Sequence, residues 1–493
     1  LHKVGFKDLG AGGIACASVE LADAAGYGAE VFLDEVHLGM DNLDPAVALC
    51  SETQERFMWA VPPEVTPLIL EHYNQRFDLP NISEGAAARV VGKIRGDDRY
   101  RVTYRGEVLV DARAEDITRG LVYDRPYRYE PPDLREPDLP EPEDYSQILL
   151  ELLAHQNIAS RKPVFETYDK QVRGHTVIEA GQADAGVLRP FQGDEYPEEI
   201  RPTGVAVTLD HNPRHCSINV YQGAVNAVVE AFRNISAVGA SPQAVTDCLC
   251  FGNPEKENQM GLFVAGVQGV SDACKSICLK EHPQHAVPIV AGNVSFYNES
   301  RAGSIPASPI IGCVGKMADA SKAIDIAFKE SGSVILLLGE RKNELGGSVY
   351  YELFDELGAS LPIPDLGEVQ RQNHTVVDLI EEGLVLACHD ISDGGLAVAL
   401  AEMSFPNRIG CTVVVDSELP PSRVLFSETG GFILEVSLGK LAAVLEILVD
   451  RQLVFQIIGM TTSDSRLSLH DVVDLDLRVA RERWENGLRE KLL

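Results

Sequence analysis

An acid-then-glycine turn occurs twice in this chain, as KDLGAGGIACASVELA at residues 7–22 and as HDISDGGLAVALAEMS at residues 389–404. The two segments align without gaps, Asp8 through Gly13 on Asp390 through Gly395, at an offset of 390 − 8 = 382. Further matches follow in the same order: EVFLDEV (30–36) on TVVVDSE (412–418), LCSETQERFMWAV (49–61) on LFSETGGFILEV (425–436), and VVGKI (90–94) on IIGMT (457–461). Ordered matches of this kind mean duplication. Residues 1–115 and 316–493 are therefore expected to be two copies of one domain, with different material between them.

Within each copy the glycine turn precedes a helix-period pattern (Ile14, Ala17, Leu21, Ala25 in the first), then a β-branched strand, a Ser-Glu-Thr turn and another strand. That alternation predicts an α/β domain of mixed layers. RYRVTYRGEVLVDA predicts a hairpin turning at Arg105-Gly106. Prolines 126, 131, 132, 137, 140 and 142, set among acidic residues, mark residues 116–145 as an extended, solvated linker. YSQILLELLAHQNIAS (145–160) reads as an amphipathic helix. Residues 146–315 form a different domain: a strand GVAVTLD, a long helix carrying Val225, Val228, Val229, Phe232 and Ile235, a strand ending at Asp247, a second helix, and AVPIVAGNVSFYNES. If each copy was duplicated together with such a partner, another domain of this type is expected ahead of residue 1.

Lys and Arg number 43 and Asp and Glu 74, so the net charge is 43 − 74 = −31. That charge disfavours a nucleic-acid backbone or an anionic membrane surface as a partner. No apolar run reaches the roughly 18 residues of a membrane span. The ten cysteines include no CxxC pair and read as reduced core thiols.

Two further segments, VTDCLCFGNPE (245–255) and VAGNVSFYNES (290–300), each read as an apolar strand ending in a Gly/Asn/Asp/Ser turn, with a helix after it. Such turns aim backbone N–H groups at an anion, and Asp or Asn oxygens suit Mg²⁺; a capping turn without a ligand fits the same residues. His389 beside Asp390 reads as a structural strand-end histidine, His211 and His215 as loop residues, and Glu230 and Asn234 as a pair or cap on a helix face. No GxxxxGK[ST], kinase HRD or DFG set, or GxSxG is present. The residues by themselves give a duplicated α/β protein with candidate Mg-phosphate turns.

Taken together and in order, DLGAGG, SETQER, NIASRKPVFETYD, AVTDCLCFGNPE, AGNVSFYNES and HDISDGGLAVALAEM resemble the large synthetase subunit family of phosphoribosylformylglycinamidine synthase, along essentially the whole chain. The resemblance implies a fold like that of aminoimidazole ribonucleotide synthase, with A and B domains in the order A1-B1-A2-B2. Here these would be a partial B1 (1–115), A2 (146–315) and B2 (316–493), with A1 and the family's catalytic histidines upstream of Leu1, so that the polypeptide alone is not expected to turn over. The implied activity is that of an ATP-dependent carbon–nitrogen ligase of purine biosynthesis. ATP phosphorylates the amide oxygen of formylglycinamide ribonucleotide, and ammonia derived from glutamine displaces phosphate from the iminophosphate.

Carried over by motif, Asp8 and Asn293 would hold Mg²⁺. Asp247 and Gly292 would touch ATP, and Glu52, Thr53, Gln54 and Ser295 would meet the ribonucleotide. The family usually has Asn where this chain has Cys248 and Cys250, and Ser in place of Thr53. Asp390, Asp393, Ser427 and Glu428 (with Thr429) would form a second, auxiliary nucleotide pocket, either occupied by a structural nucleotide or emptied by drift. A separate glutaminase, a small accessory subunit and a cytoplasmic location are also implied. Other ATP-using members of the same superfamily and a non-catalytic nucleotide-binding scaffold are the alternatives.

Overall fold

Paired glycines fix the geometry from which each copy is built. Gly12 and Gly13 have φ of 76° and 56°, and Gly394 and Gly395 have φ of 79° and 71°, in the left-handed region that residues with a Cβ rarely adopt. Each pair opens a helix, Gly13–Asp23 in one copy and Gly395–Ser404 in the other. A Cβ on Gly395 would lie 2.6 Å from the Ser427 carbonyl oxygen, and one on Gly13 would collide with the Ser51 carbonyl. The glycine turn and the Ser-Glu-Thr turn thus meet backbone to backbone in both copies.

The structure, a computed structural model, describes residues 4–40, 42–53, 55–82, 85–120 and 122–492. It forms two compact units, Leu1–Asp124 and Arg125–Leu493. The first contains an antiparallel pair, Gly5–Asp8 with Phe57–Ala60, and a four-stranded sheet ordered Gly92–Arg95, Gly28–Phe32, Arg99–Tyr104, Glu107–Arg113. Its hairpin turns at Arg105 and Gly106, both with positive φ, as the sequence predicts.

The second unit contains a six-stranded and a seven-stranded sheet. The six-stranded order is Ile289–Ser295, Ser241–Cys250, Ser308–Met317, Gly204–Asp210, Gly186–Leu188, Thr176–Ile178. Helix Val220–Ala237 packs on one face of this sheet through Val225, Val228, Phe232 and Ile235. The opposite face leaves Val207, Leu209 and Val314 exposed. The seven-stranded order is Ala387–Asp390, Phe432–Val436, Val334–Leu338, Phe455–Thr462, Gly410–Val413, Arg466–Leu469, Val473–Asp476.

The duplication holds at the level of individual residue pairs. Asp8 pairs with Phe57 and Asp390 with Phe432; Glu30 pairs with Lys93 and Thr412 with Met460; Ala29 lies parallel to Tyr100 and Cys411 to Leu467. A one-residue slip would turn every side chain to the other face, so shared register means shared orientation.

Several local expectations need correction. The strand through Asp247 continues to Cys250, and Gly292 and Asn293 lie within strand Ile289–Ser295 and not in a turn. No helix follows that strand; a short hairpin, Glu299–Ser300 with Gly303–Ser304, takes its place. The helix expected over 145–160 spans only Tyr145–Leu153. The proline-rich segment is extended but docked: Glu136 accepts from the Tyr351 hydroxyl (3.0 Å) and the Ala359 and Ser360 N–H groups (2.7 and 3.0 Å), and Glu141 accepts from Ser422. Half the thiols are not core: Cys50 is exposed and Cys16, Cys248, Cys250 and Cys278 are half-buried, although all ten are free.

Candidate functional site

Helix Val220–Ala237 is apolar around most of its circumference, but Asn226, Glu230, Arg233 and Asn234 recur at three- and four-residue steps and so share one face. That face looks onto the end of strand Ala387–Asp390 and its glycine turn. Asn234 donates to Asp210 Oδ2 at 2.8 Å, at the end of strand Gly204–Asp210. Asn212 next to it caps helix Pro213–Ile218 by accepting from Arg214 and His215 N–H, and donates to Asp393 at 3.4 Å. His215 is a buried helical residue and not a loop residue, whereas His211 stands in the loop before that helix as expected, its ring nitrogens buried. Glu230 and Asn234 serve Asp210, not one another.

Around this face gather Asp210, Glu230, Asp390, Asp393 and Glu428. Burial pushes Asp210 up to about 7, against hydrogen bonds from His211 N–H, Asn234 and Glu230 that pull it back. Burial, then the Asp184 charge, raises Asp390 well above the usual carboxylate range; burial, then Glu428 and Asp210, does the same to Asp393. Glu230 is raised by burial and by Asp210, Asp390 and Asp393. These carboxyls resist ionising together because each sits in low dielectric among others of like charge. Arg233 is the buried counter-charge, its guanidinium lying against Gly430.

His389 is not an isolated strand-end histidine. Its Nδ1 lies 2.6 Å from Asp184 Oδ1 and its Nε2 is 3.1 Å from Glu402 Oε2. Burial alone would lower it, but Asp184 first and Glu402 next outweigh that and hold the imidazolium charged. Asp184 also accepts from the Asp390 N–H at 3.0 Å, tying the pair to the glycine turn.

Glu428 accepts from the N–H groups of Gly394 and Val349, both at 2.8 Å, through one oxygen. Among the described residues no hydrogen-bond partner reaches its other oxygen, nor Oδ2 of Asp390. Two buried, orphaned carboxylate oxygens among raised carboxyls fit a divalent, oxygen-seeking cation such as Mg²⁺. The adjoining cleft carries Lys342, Glu344, Glu368 and Gln372 with Arg233 and Thr429. Carboxylates that suit a metal beside two cations that suit phosphates match the charge pattern of a metal–polyphosphate.

The structure thus brings Asp390, Asp393, Ser427 and Glu428 together. Buried Arg341 locks their Ser-Glu-Thr turn, donating to the carbonyls of Thr429 (2.5 Å), Val424 (3.2 Å) and Ser427. Asp247, Gly292, Asn293 and Ser295 lie together on two parallel strands, Asp247 opposite Gly292, where any Cβ would strike the Asp247 carboxyl. In the first unit Asp8, Glu52 and Thr53 are exposed around their own turn; Gln54 lies outside the described residues. Motif matching missed Asp210, Glu230, Arg233 and Asp184; the polar stripe on an otherwise apolar helix is the signal that points to two of them.

The C-terminal domain of AIR synthase related protein matches residues 2–105 and again 330–472, and the N-terminal domain matches 182–317 between them. The subunit PurL of phosphoribosylformylglycinamidine synthase from Methanothrix thermoacetophila is 42% identical over 99% of this chain and 64% of its own length. The Moorella thermoacetica subunit is 35% identical over 98% and 64%. The chain therefore spans a little under two thirds of these relatives. Solved structures of Thermotoga maritima PurL, one complexed with ADP and one with FGAR, share the fold. Their TM-scores are both 0.60, at 22% and 21% identity, with 93% of this chain and 64% and 62% of those chains covered. Among the described residues no helix is long and apolar enough to cross a membrane.

Proposed function

Since the chain belongs to the AIR synthase related proteins, we propose that it is part of a phosphoribosylformylglycinamidine synthase large subunit. The reaction is the ATP-dependent conversion of formylglycinamide ribonucleotide to the amidine, with ammonia taken from glutamine. The observation that carries this reading is co-linear similarity to PurL subunits along 99% of the chain. In this reading residues 1–115 are B1, 116–145 the linker, 146–315 A2 and 316–493 B2.

Phosphoryl transfer to an amide oxygen asks the protein for positioning and charge neutralisation more than for covalent chemistry. Asp247 and Gly292 form the ATP wall, Gly292 being the position where the absence of a side chain leaves the Asp247 carboxyl room. In the second unit Asn293 is a Mg²⁺ ligand and Ser295 a ribonucleotide contact; in the first unit Asp8 is a Mg²⁺ ligand and Glu52, Thr53 and Gln54 are ribonucleotide contacts. Mg²⁺ supplies charge neutralisation on the phosphates. The open sheet face with Val207, Leu209 and Val314 accepts a second A-type domain. A glutaminase and a small accessory subunit are the partners, and the location is cytoplasmic.

The buried chamber of the second unit is the auxiliary nucleotide site, in which Asp210, Glu230, Asp390 and Asp393 hold Mg²⁺ while Arg233 and Lys342 meet phosphate. The orphaned oxygens of Asp390 and Glu428 support an occupied pocket over one emptied by drift. Because the chain spans part of its relatives, the test of function is binding: calorimetry with formylglycinamide ribonucleotide in the presence of Mg–ATP. Saturable binding lost in Ser295→Ala supports the reading; no binding of the ribonucleotide contradicts it.

A further inference from the structure

Cys248 and Cys250 stand two residues apart on strand Ser241–Cys250 and so share one face of the sheet. Their sulfurs converge to 3.6 Å, and both residues are half-buried, within reach of solvent. Cys248 faces Asn293 across the parallel pairing and Cys250 faces Ser295. The Asn293 amide donates to the Cys248 sulfur at 3.4 Å.

Three chemistries could use such a pair. A disulfide needs Cβ atoms about 3.5–4.5 Å apart, whereas two residues along a strand advance about 6.6–6.8 Å, so closure would require the strand to buckle. A nucleophile needs a lowered thiol. Burial first, and then the hydrogen bond and charge of Cys248, raise Cys250 instead. A bridging ion fits: two sulfurs each about 2.3 Å from a tetrahedral centre stand about 3.8 Å apart, close to the observed separation.

We propose that Cys248 and Cys250 form a two-thiolate binding site for a soft divalent cation such as Zn²⁺ or Cd²⁺, its remaining positions filled by solvent. Sulfur ligands select such ions over Mg²⁺, so the site is chemically separate from the carboxylate chamber. On binding, each thiol gives its proton to solvent while two metal–sulfur bonds form, and two protons leave for each ion bound. The site stands beside Asn293 and Ser295, so it would make the neighbouring wall sensitive to thiophilic metals.

The test titrates the whole chain, reduced with a non-chelating phosphine, with Cd²⁺ in excess Mg²⁺. The thiolate-to-metal charge-transfer band and the protons released are followed together. One tight ion releasing two protons is expected. Cys248→Ser and Cys250→Ser should each weaken that ion at least about 100-fold, while Cys50→Ser leaves it unchanged. Single serine variants that titrate like the parent would overturn the proposal. A second measurement needs no variant: bound Cd²⁺ should protect Cys248 and Cys250 from iodoacetamide in a peptide map. Equal alkylation with and without the ion would refute the site even if the serine variants fail to fold.

Discussion

The strand that leads into the first glycine turn, Gly5–Asp8, alternates between half-buried and exposed positions, whereas its counterpart Ala387–Asp390 is buried at all four. Their partners differ in the same way, Phe57–Ala60 against fully buried Phe432–Val436. In the second copy Val334–Leu338, buried throughout, stands between Phe432–Val436 and Phe455–Thr462 and joins the strands into one sheet. Among the described residues of the first copy no strand stands between their counterparts, Phe57–Ala60 and Gly92–Arg95, and the sheet is in two parts. The motif specifies the turn; its surroundings specify the chemistry of the acid in it. Asp390 is sealed in and raised, while Asp8 meets solvent.

The largest effect should come from the glycine contact common to both copies. Gly395→Ala forces a Cβ onto the Ser427 and Leu425 carbonyls at positive φ and should cost about 4 kcal/mol or more. Gly13→Ala should open the first unit instead. Hydrogen exchange read by mass spectrometry localises each loss; a Gly395→Ala protein with native protection at 427–429 would break the equivalence.

The two Ser-Glu-Thr turns are held by unrelated arginines, which is the next comparison to press. Arg341 is fully enclosed, and Arg341→Met would strand three carbonyls at a cost of about 3 kcal/mol. In the first copy Arg56, from SETQER itself, donates to Ser51 O (2.5 Å) and Thr53 O (3.2 Å) near solvent. Arg56→Met should cost about 1 kcal/mol. Denaturant melts monitored by exchange at each turn test the ranking.

Acidity separates the copies more subtly. Asp210, at about 7 in the folded chain against an ordinary value of 3.8, binds its proton more tightly folded than unfolded. Its contribution is fully present below the unfolded value and is lost as pH rises through the folded one. Without divalent ions, then, the second unit should lose stability between pH 4 and pH 7, and Mg²⁺ should restore it at pH 7. Thermal melts across that range with and without a chelator test this; a flat profile would show that the chamber is not strained by its own charge. The smallest change expected is Glu136→Gln, which weakens the docking of the proline-rich segment by about 1 kcal/mol, seen as faster exchange at Ala359 and Ser360.

What the sequence conveyed well was relation: segments aligned between the copies make matching pairs in the structure, Asp8 with Phe57 and Asp390 with Phe432. It conveyed element ends poorly, because Gly292 and Asn293 look like turn residues yet are carried into a strand by pairing with Asp247 and Cys248. The chamber was only half legible. Asp390, Asp393 and Glu428 follow from the repeat, but Asp184, Asp210 and Arg233 come from a domain with no copy here to compare, and only folding brings them within reach. His215 was misread because its burial depends on Glu428 and Gly347, both far from it in sequence.

Calorimetric titration of Mg–ATP against the parent chain, Asp8→Asn, and the double variant Glu230→Gln/Asp393→Asn tests the central claim most directly. A tight phase present in the parent and in Asp8→Asn but missing from the double variant is the predicted result. A tight phase that survives in the double variant, or that never appears in the parent, would contradict the buried chamber as the seat of the nucleotide.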